Sequence, residues 1–595
     1  MQKINYPKEQ MHRIRYTKLT QSQISEKLAP VALAGPTSAA PLSDVLAGKS
    51  LRITTDGGPQ LTYNFKSRNK LALQEQGHAR VESGYGALTL NRMIVFSHLI
   101  PGSQRGYTVV VDQGSNLATV VEVWFSGYQD NREVQRELHY GYVEVPGREA
   151  PRGRHALTNR LEGKGYHWRQ DTGIQTLEMY PSVLYSTFVE LTRFGGELCF
   201  CGPSDYVRLD DETYLYSRVE AEFSGTMTLY VLDLNRIKQV GMRLGFDEQD
   251  TLHYYLFTGT GELLGQIAHF EPFDDHGEKI SLGNRPPPTE AQRRESPEAP
   301  ATRRETAGKG ERPVYRPLLT NPAMTKAEVE EAVARNTTVF AAGNPMAGNS
   351  LPSSSYLVGK ELTVRYDDGG PALNYKFETA DKLHWRREGE MHWREETYRA
   401  WEPAPDVLFF GHLLGGAPDH DSVAVAIDFE NALTTCVHGW IGTRYMANEA
   451  SRKTWFGVVE ADGLTAPQYR RHQFTDELVG RALTWNYSPG LTSMHVYSTP
   501  HSFSWIIFLG GGAGGLEWSG PAQYVKLRDD LYLFNWLEEA CNGTLGILVI
   551  NMRTLHDCGV GYHCGKQGLS LNSIGAQARH AGSYDIRRFY GPKQA

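Results

Sequence analysis

The sequence predicts a mainly β protein: antiparallel strands closing into barrels, four units in two tandem modules, with few helices. Three observations carry this expectation. The apolar pattern has period 2, as in LTVRYDD, LNYKF, VAVAIDF, YLFNW and LGILVIN, and Gly, Asp, Asn and Pro punctuate the runs. The 595 residues include 60 Gly for tight turns and 31 Tyr and 11 Trp, which suit pleated surfaces. Finally, the chain writes one phrase twice, AGKSLRITTDGGPQLTYNF at 47–65 and VGKELTVRYDDGGPALNYKF at 358–377.

Residues 1–40 read as a polar N-terminal extension, in which TQSQISEKL (20–28) is the counterpart of a clearer helix signal later. Residues 41–150 and 151–273 are the first two barrel units. Residues 274–312 contain Pro, Glu, Arg and Gly and almost nothing large and apolar, which predicts a disordered linker. Residues 313–350 are a helical lead-in, because TKAEVEEAVARN (325–336) spaces Thr325 and Glu328 as a capping box. Residues 351–465 and 466–595 are units three and four. The modules agree in order: IVFSHLIPG (94–102) with LFFGHLLGG (408–416), then GPSDYVRL (202–209) with GPAQYVKL (520–527). Such self-similarity is the mark of tandem duplication. A fainter inner echo, FFGHLL against LFNWLE, pairs the units within a module.

Composition narrows the function. The net charge is −7 with no large basic block, which argues against nucleic acid as a partner. No run of about 18 apolar residues exists, so no membrane span is expected. The polar N-terminus lacks a secretory apolar core, and six Cys make no disulfide scaffold; a cytoplasmic setting is expected. The P-loop, the Gly-x-Ser-x-Gly elbow and the His-Glu-x-x-His motif do not occur. HDCGVGYHC (556–564) is dense in soft ligands but matches no common zinc spacing, and no metal or other cofactor is expected.

LPSSSYLVGKELTVRYDDGG, FFGHLL and YVKL…YLFNWLEEACNGTLGILVIN together resemble the MoaF family. That family is labelled molybdenum cofactor biosynthesis protein F, which implies a link to that cofactor. More distantly, each unit is similar to phenolic acid decarboxylases, which implies a lipocalin-like (calycin) barrel working without a cofactor. There an early strand carries Tyr-x-Tyr and a later one Trp-x-Glu. The resemblance places Trp485 and Tyr487, and Trp536 and Glu538, at these positions in unit four. It places Trp168 and Gln170, and Arg218 and Glu220, there in unit two; Val364, Tyr366 and His412 in unit three; and Ile53, Thr55 and His98 in unit one. The Arg-Trp pair of that family is absent.

The candidate acid–base residues are therefore Glu538, His412, Glu220 and His98. A carboxyl facing an aromatic barrel has a raised pKa, and a neutral imidazole there can shuttle protons. Tyr366, Trp485, Tyr487 and Trp536 are the candidate substrate contacts. The competing reading is structural: aromatics as core, the histidines as hydrogen-bonded core groups, and Glu538 as a solvated strand end. The expected function is a cofactor-independent lyase, isomerase or cyclase of secondary or aromatic metabolism, acting on a small apolar or aromatic molecule. The alternatives are a lipocalin-like carrier and a role in molybdenum cofactor metabolism. A homodimer or an internal pairing of modules is the expected assembly.

Overall fold

The computed structural model describes residues 19–125, 134–183, 185–192, 195–197, 199–220, 225–247, 250–268, 324–415, 420–443, 446–509, 517–538 and 543–590. The linker expected at 274–312 lies outside them. The chain divides into two compact units, separated around that linker, and each is described by itself. The fold is mainly β, as its periodicity requires, and it is built of tandem antiparallel barrels.

In the first unit, eight strands from Ser50–Thr55 to Val134–Val143 form a closed barrel. Eight more, from Lys164–Gln170 to Leu252–Ile267, pair in sequence, and the sixteen-residue last strand pairs back onto the first (Trp168 opposite Gly261). This second strand set is called ring two. The second unit repeats the plan. Strands from Glu361–Tyr366 to Ala450–Glu460 close a barrel. Strands from Arg481–Ser488 onward form ring four, whose final stretch is broken into Gly568–Ile574 and Gln577–Tyr584, the latter pairing back onto Arg481–Ser488.

The repeated phrase is a hairpin. Ser50–Thr55 pairs with Leu61–Phe65, and Glu361–Tyr366 with Ala372–Phe377. The turns between them need a left-handed backbone, which Gly57 (φ 70°) and Gly369 (φ 74°) supply without a Cβ clash. The alternation then fixes which side chains enter the barrel.

In the strands between paired rings, both faces are buried. In Met93–Leu99, Ile94 and Phe96 join the interior of the first barrel, while Met93, Val95 and Leu99 join a second cluster shared with Val207, Leu215, Leu229 and Val231 of ring two. In Val407–Leu413, Leu408 and Phe410 point inward, and Val407 and Phe409 pack against Leu533, Ile547 and Val549 of ring four. Each unit is thus a pair of β rings joined by an apolar seam. The helices close these seams. Helix α1 (Gln21–Ala34) buries Ile24, Leu28 and Ala32 in the first seam, and α2 (Lys326–Arg335) sets Val329 and Val333 against the second. Both begin with a formed capping box, Thr20 with Gln23 and Thr325 with Glu328. The HDCGVGYHC stretch is a strand whose Cys558 and Cys564 face the seam, so period 2 turns Asp557 and His563 to the opposite face.

The seam yields a stability prediction. Leu533 is fully buried there and Leu33 is half exposed. Leu533→Ala is expected to cost about 2–5 kcal/mol in chemical denaturation, and Leu33→Ala no more than about 0.5 kcal/mol. Equal effects would show that the seam does not carry the fold.

Candidate functional site

Ring two turns a charged face inward. TYLYSRV (213–219) alternates so that Tyr214, Tyr216, Arg218 and then Glu220 share one side, while Leu215 and Val219 enter the seam. Opposite them stand Glu178, Thr228, Tyr230 and Arg243, positioned by the pairings Arg218–Thr228 and Thr228–Arg243. Glu178 is fully buried and accepts from Arg218 Nη1 at 2.5 Å on each oxygen, from Tyr216 at 3.2 Å and from Tyr230 at 3.3 Å. Glu220 is 2% exposed. It accepts from Arg243 Nη2 at 2.9 Å, from the Thr228 hydroxyl at 2.9 Å and more distantly from Arg218 Nη2 at 3.5 Å. The Arg218 guanidinium lies 3.6 Å from the centre of the Phe188 ring, a cation–π contact.

Burial and the neighbouring carboxylate charge raise the hydroxyl pKa values of Tyr180, Tyr216 and Tyr230, so these groups stay protonated donors. Arg218 and Arg243 lose hydration, but the carboxylates beside them, Glu178 for Arg218 and Glu220 for Arg243, hold both firmly charged. A buried quartet of this kind costs several kcal/mol per ion before pairing, so it is poor evidence for a stability role. Arg243 also faces outward to a cleft of about 440 Å³, lined with Thr37, Ser38, Thr172, His253 and Tyr255 among others. Among the described residues, Arg243 belongs both to the charged interior and to the lining of this opening. Arg218 Nε and both amide atoms of Gln239, buried in the same ring, have no hydrogen-bond partner.

The structure divides the expected residues among four interiors. His98 lies inside the first barrel, its Nε2 3.1 Å from the Tyr63 hydroxyl. His412 lies inside the third, its Nδ1–H donating to the Leu413 carbonyl at 2.7 Å, so that Nε2 accepts from Tyr375 at 3.2 Å. Tyr366 shares that interior, 3.4 Å from the Thr434 hydroxyl. Trp485, Tyr487 and Trp536 come together in ring four around a residue the sequence reading passed over, His495. Its Nε2 is 3.5 Å from the Tyr487 hydroxyl, and its ring centre is 6.2 Å from that of Trp485 and 6.3 Å from that of Trp536. Glu538 ends the Trp536 strand opposite Thr544 and is half-buried. Of the four acid–base candidates, Glu220 alone joins a buried ionic network beside a cleft.

Glu178 and Arg243 were also passed over. Their signal was present: each is a charge flanked by apolar residues within a strand, Glu178 in TLEM and Arg243 in VGMRLGF. On the surface, Glu378, His384 and Glu395 bring possible ligand atoms within 4.8 Å, but Lys382, 3.3 Å from Glu395 and 3.7 Å from Glu378, already pairs with both carboxylates.

The enclosed histidines give a pH prediction. Burial depresses His98 and His412 to about 4 and His495 to about 3, below the unfolded value of about 6.5. The folded state therefore binds fewer protons than the unfolded chain. The stability from these groups is present above pH 6.5 and is lost as pH falls towards 4, by up to about 3 kcal/mol per histidine. Denaturation midpoints measured between pH 7 and pH 4.5 should fall, and His412→Gln should flatten the profile. An unchanged profile would mean that these imidazoles are not held neutral.

Comparison with known proteins follows the same outline. The MoaF N-terminal domain model matches residues 336–443, and the MoaF C-terminal domain model matches 472–583. Protein MoaF of Klebsiella aerogenes is 27% identical over 265 residues, 42% of this chain and 95% of its own length. Among solved structures, a putative beta-lactamase from Burkholderia vietnamiensis aligns at 13% identity over 17% of this chain and 94% of its own, with a TM-score of 0.15, too low to support any argument. With both domain models falling in order on its second unit, and the first unit repeating the same text, the chain belongs to the MoaF family.

Proposed function

We propose that the protein is a cofactor-independent enzyme of the lyase or isomerase/cyclase type, acting on a small aromatic molecule within ring two. The observation that carries this reading is Glu220: a desolvated carboxylate held by Arg243, the residue that reaches the cleft. Buried ionisable groups at an opening are candidates for acid–base work. Glu220 would move the proton, and the tyrosine-lined wall would contact the ring of the substrate. Glu538 is a weaker candidate because its strand end is only half-buried. His98 and His412 are weaker because their rings are enclosed and hydrogen-bonded inside other barrels.

A second reading, a carrier of an apolar molecule, is favoured by ring four. Its interior stacks Phe503, Phe534 and Trp536 around His495. Glu220→Gln separates the two. A panel of aromatic acids and phenols, followed by mass spectrometry of products, should show turnover by the parent chain. The variant should lose about a hundredfold or more in kcat while still binding substrate. Turnover that survives the substitution would remove Glu220 from the chemistry. A ligand bound but never converted by either chain would favour the carrier.

A further inference from the structure

Resting on the carrier reading of ring four, we infer that this ring binds a small uncharged aromatic molecule bearing a phenolic or carbonyl oxygen, and that Trp485, Tyr497 and Asp557 hold that oxygen. Polar atoms with nothing to bond carry the inference. Trp485 Nε1, His495 Nδ1, the Tyr497 hydroxyl, Trp505 Nε1 and Asp557 Oδ2 all lack a hydrogen-bond partner, and their side chains are fully or almost fully buried. Burying a polar group without a partner is costly, and a folded interior rarely leaves several together.

These atoms belong to one neighbourhood. The Trp485 indole lies beside the Tyr497 hydroxyl, short of hydrogen-bond geometry. His495 stands opposite Trp505 in the strand register, its ring centre 6.2 Å from that of Trp485 and 6.4 Å from that of Tyr497. Asp557 is near enough to Tyr487 and Tyr497 to act on both hydroxyls. Asp557 also sits at a break in the ring wall. The closing strand of ring two runs unbroken through Leu252–Ile267, whereas that of ring four is interrupted at Gly575 and Ala576. The Asp557 amide donates to the Ala576 carbonyl at 3.0 Å, and its Oδ1 accepts from the Ala576 amide at 2.6 Å. Residues 346–349 strap the break: the Gly575 amide donates to the Met346 carbonyl and the Asn349 amide to the Tyr487 carbonyl, each at 2.8 Å. A wall closed by a side chain and a strap has fewer bonds to part than one closed by a continuous strand.

The chemistry of the unpartnered atoms selects the ligand. Indole N–H groups only donate, and the Tyr497 hydroxyl can donate as well. Burial lifts the Asp557 carboxyl well above the usual carboxylate range, so Oδ2 carries a hydrogen, and it depresses His495 to about 3, so that ring is neutral. Donors without acceptors call for an oxygen. With His495 Nε2 facing the Tyr487 hydroxyl at 3.5 Å, Nδ1 is left to accept the hydrogen of a phenol. None of these groups is charged, so a carboxylate would be desolvated here without a counter-charge. Phe503, Phe534 and Trp536 around His495 supply faces for an aromatic ring.

The test is fluorine NMR on the full chain at pH 7 with 4-fluorophenol, 4-fluorotoluene and 4-fluorobenzoate. Each occupied site gives its own bound resonance, so binding in ring two is read separately. 4-Fluorophenol should bind about tenfold or more tightly than 4-fluorotoluene, and 4-fluorobenzoate more weakly than either. Tyr497→Phe should weaken that 4-fluorophenol site about tenfold and leave 4-fluorotoluene as it was. The hydroxyl it removes has no partner in the free protein, so the denaturation midpoint of the variant should not fall, which separates lost binding from lost folding. Equal binding of the phenol and the toluene would overturn the inference and leave the carrier reading standing. Binding of neither would overturn both. A 4-fluorophenol site that ignores Tyr497→Phe, or a Tyr497-sensitive site that prefers 4-fluorobenzoate, would sink the inference alone.

Discussion

A strand that meets a seam has two faces and solvent covers neither. Side chains alternate with period 2, so closing eight strands sends every second residue inward and leaves the others outward. Where two rings meet, the outward face is apolar as well. Val407–Leu413 is buried at all seven positions, and so is Met93–Leu99. This requirement explains why the modules come as paired rings. A single ring with Phe409, Leu533 and Val549 on its outside would present an apolar surface to water; the seam removes it. The helices and the capping boxes that start them follow from the same need, since each covers an end of a seam.

Within that constraint a polar inward face is conspicuous, and the two modules differ there. Pairing registers align Arg218 with Trp536 (opposite Ser204 and Ala522), Thr228 with Gly546, and Arg243 with Gly561. Glu178 aligns with His495 through Phe188 and Trp505. Glu178 and Arg218 of the quartet thus correspond to ring-bearing side chains, and Arg243 to a glycine. The exchange is consistent volume for volume: Trp536 lies over Gly546, where an added Cβ would meet its ring at 2.2 Å, while Arg218 faces Thr228. The duplicated scaffold therefore tolerates two unlike interiors, because strand pairing depends on the backbone and the seam rather than on what fills the ring.

Much of the fold was legible in the sequence for that reason. The hairpin phrase, the capping box at Thr325 and the alternating strands are local rules, and the chain obeys them locally. The site was less legible. Glu220 and Arg218 could be placed on one face because they lie two residues apart, and Trp485 and Tyr487 for the same reason. Their partners could not. Glu178 lies 40 residues from Arg218, and Arg243 lies 23 from Glu220. Only ring closure brings them together. The similarity of text also drew attention to the second module, where aromatics sit at the expected places, whereas the ionic set is in the first. Recurrence under duplication marks what both copies need to fold, and chemistry is free to differ between them.

Ion pairing by itself does not account for the quartet. The matching positions of ring four hold His495, Trp536, Glu538 and Gly561, so the fold does not need the two arginines there. Glu178 receives hydrogens from Arg218, Tyr216 and Tyr230, while Glu220 accepts from Arg243 Nη2 and the Thr228 hydroxyl, both at 2.9 Å, and more distantly from Arg243 Nε and Arg218 Nη2 at 3.5 Å. The inner pair is sealed within the ring, whereas the outer pair includes Arg243, which also lines the cleft. That placement is what a binding site needs: the inner pair fixes the framework, and the outer pair meets the opening.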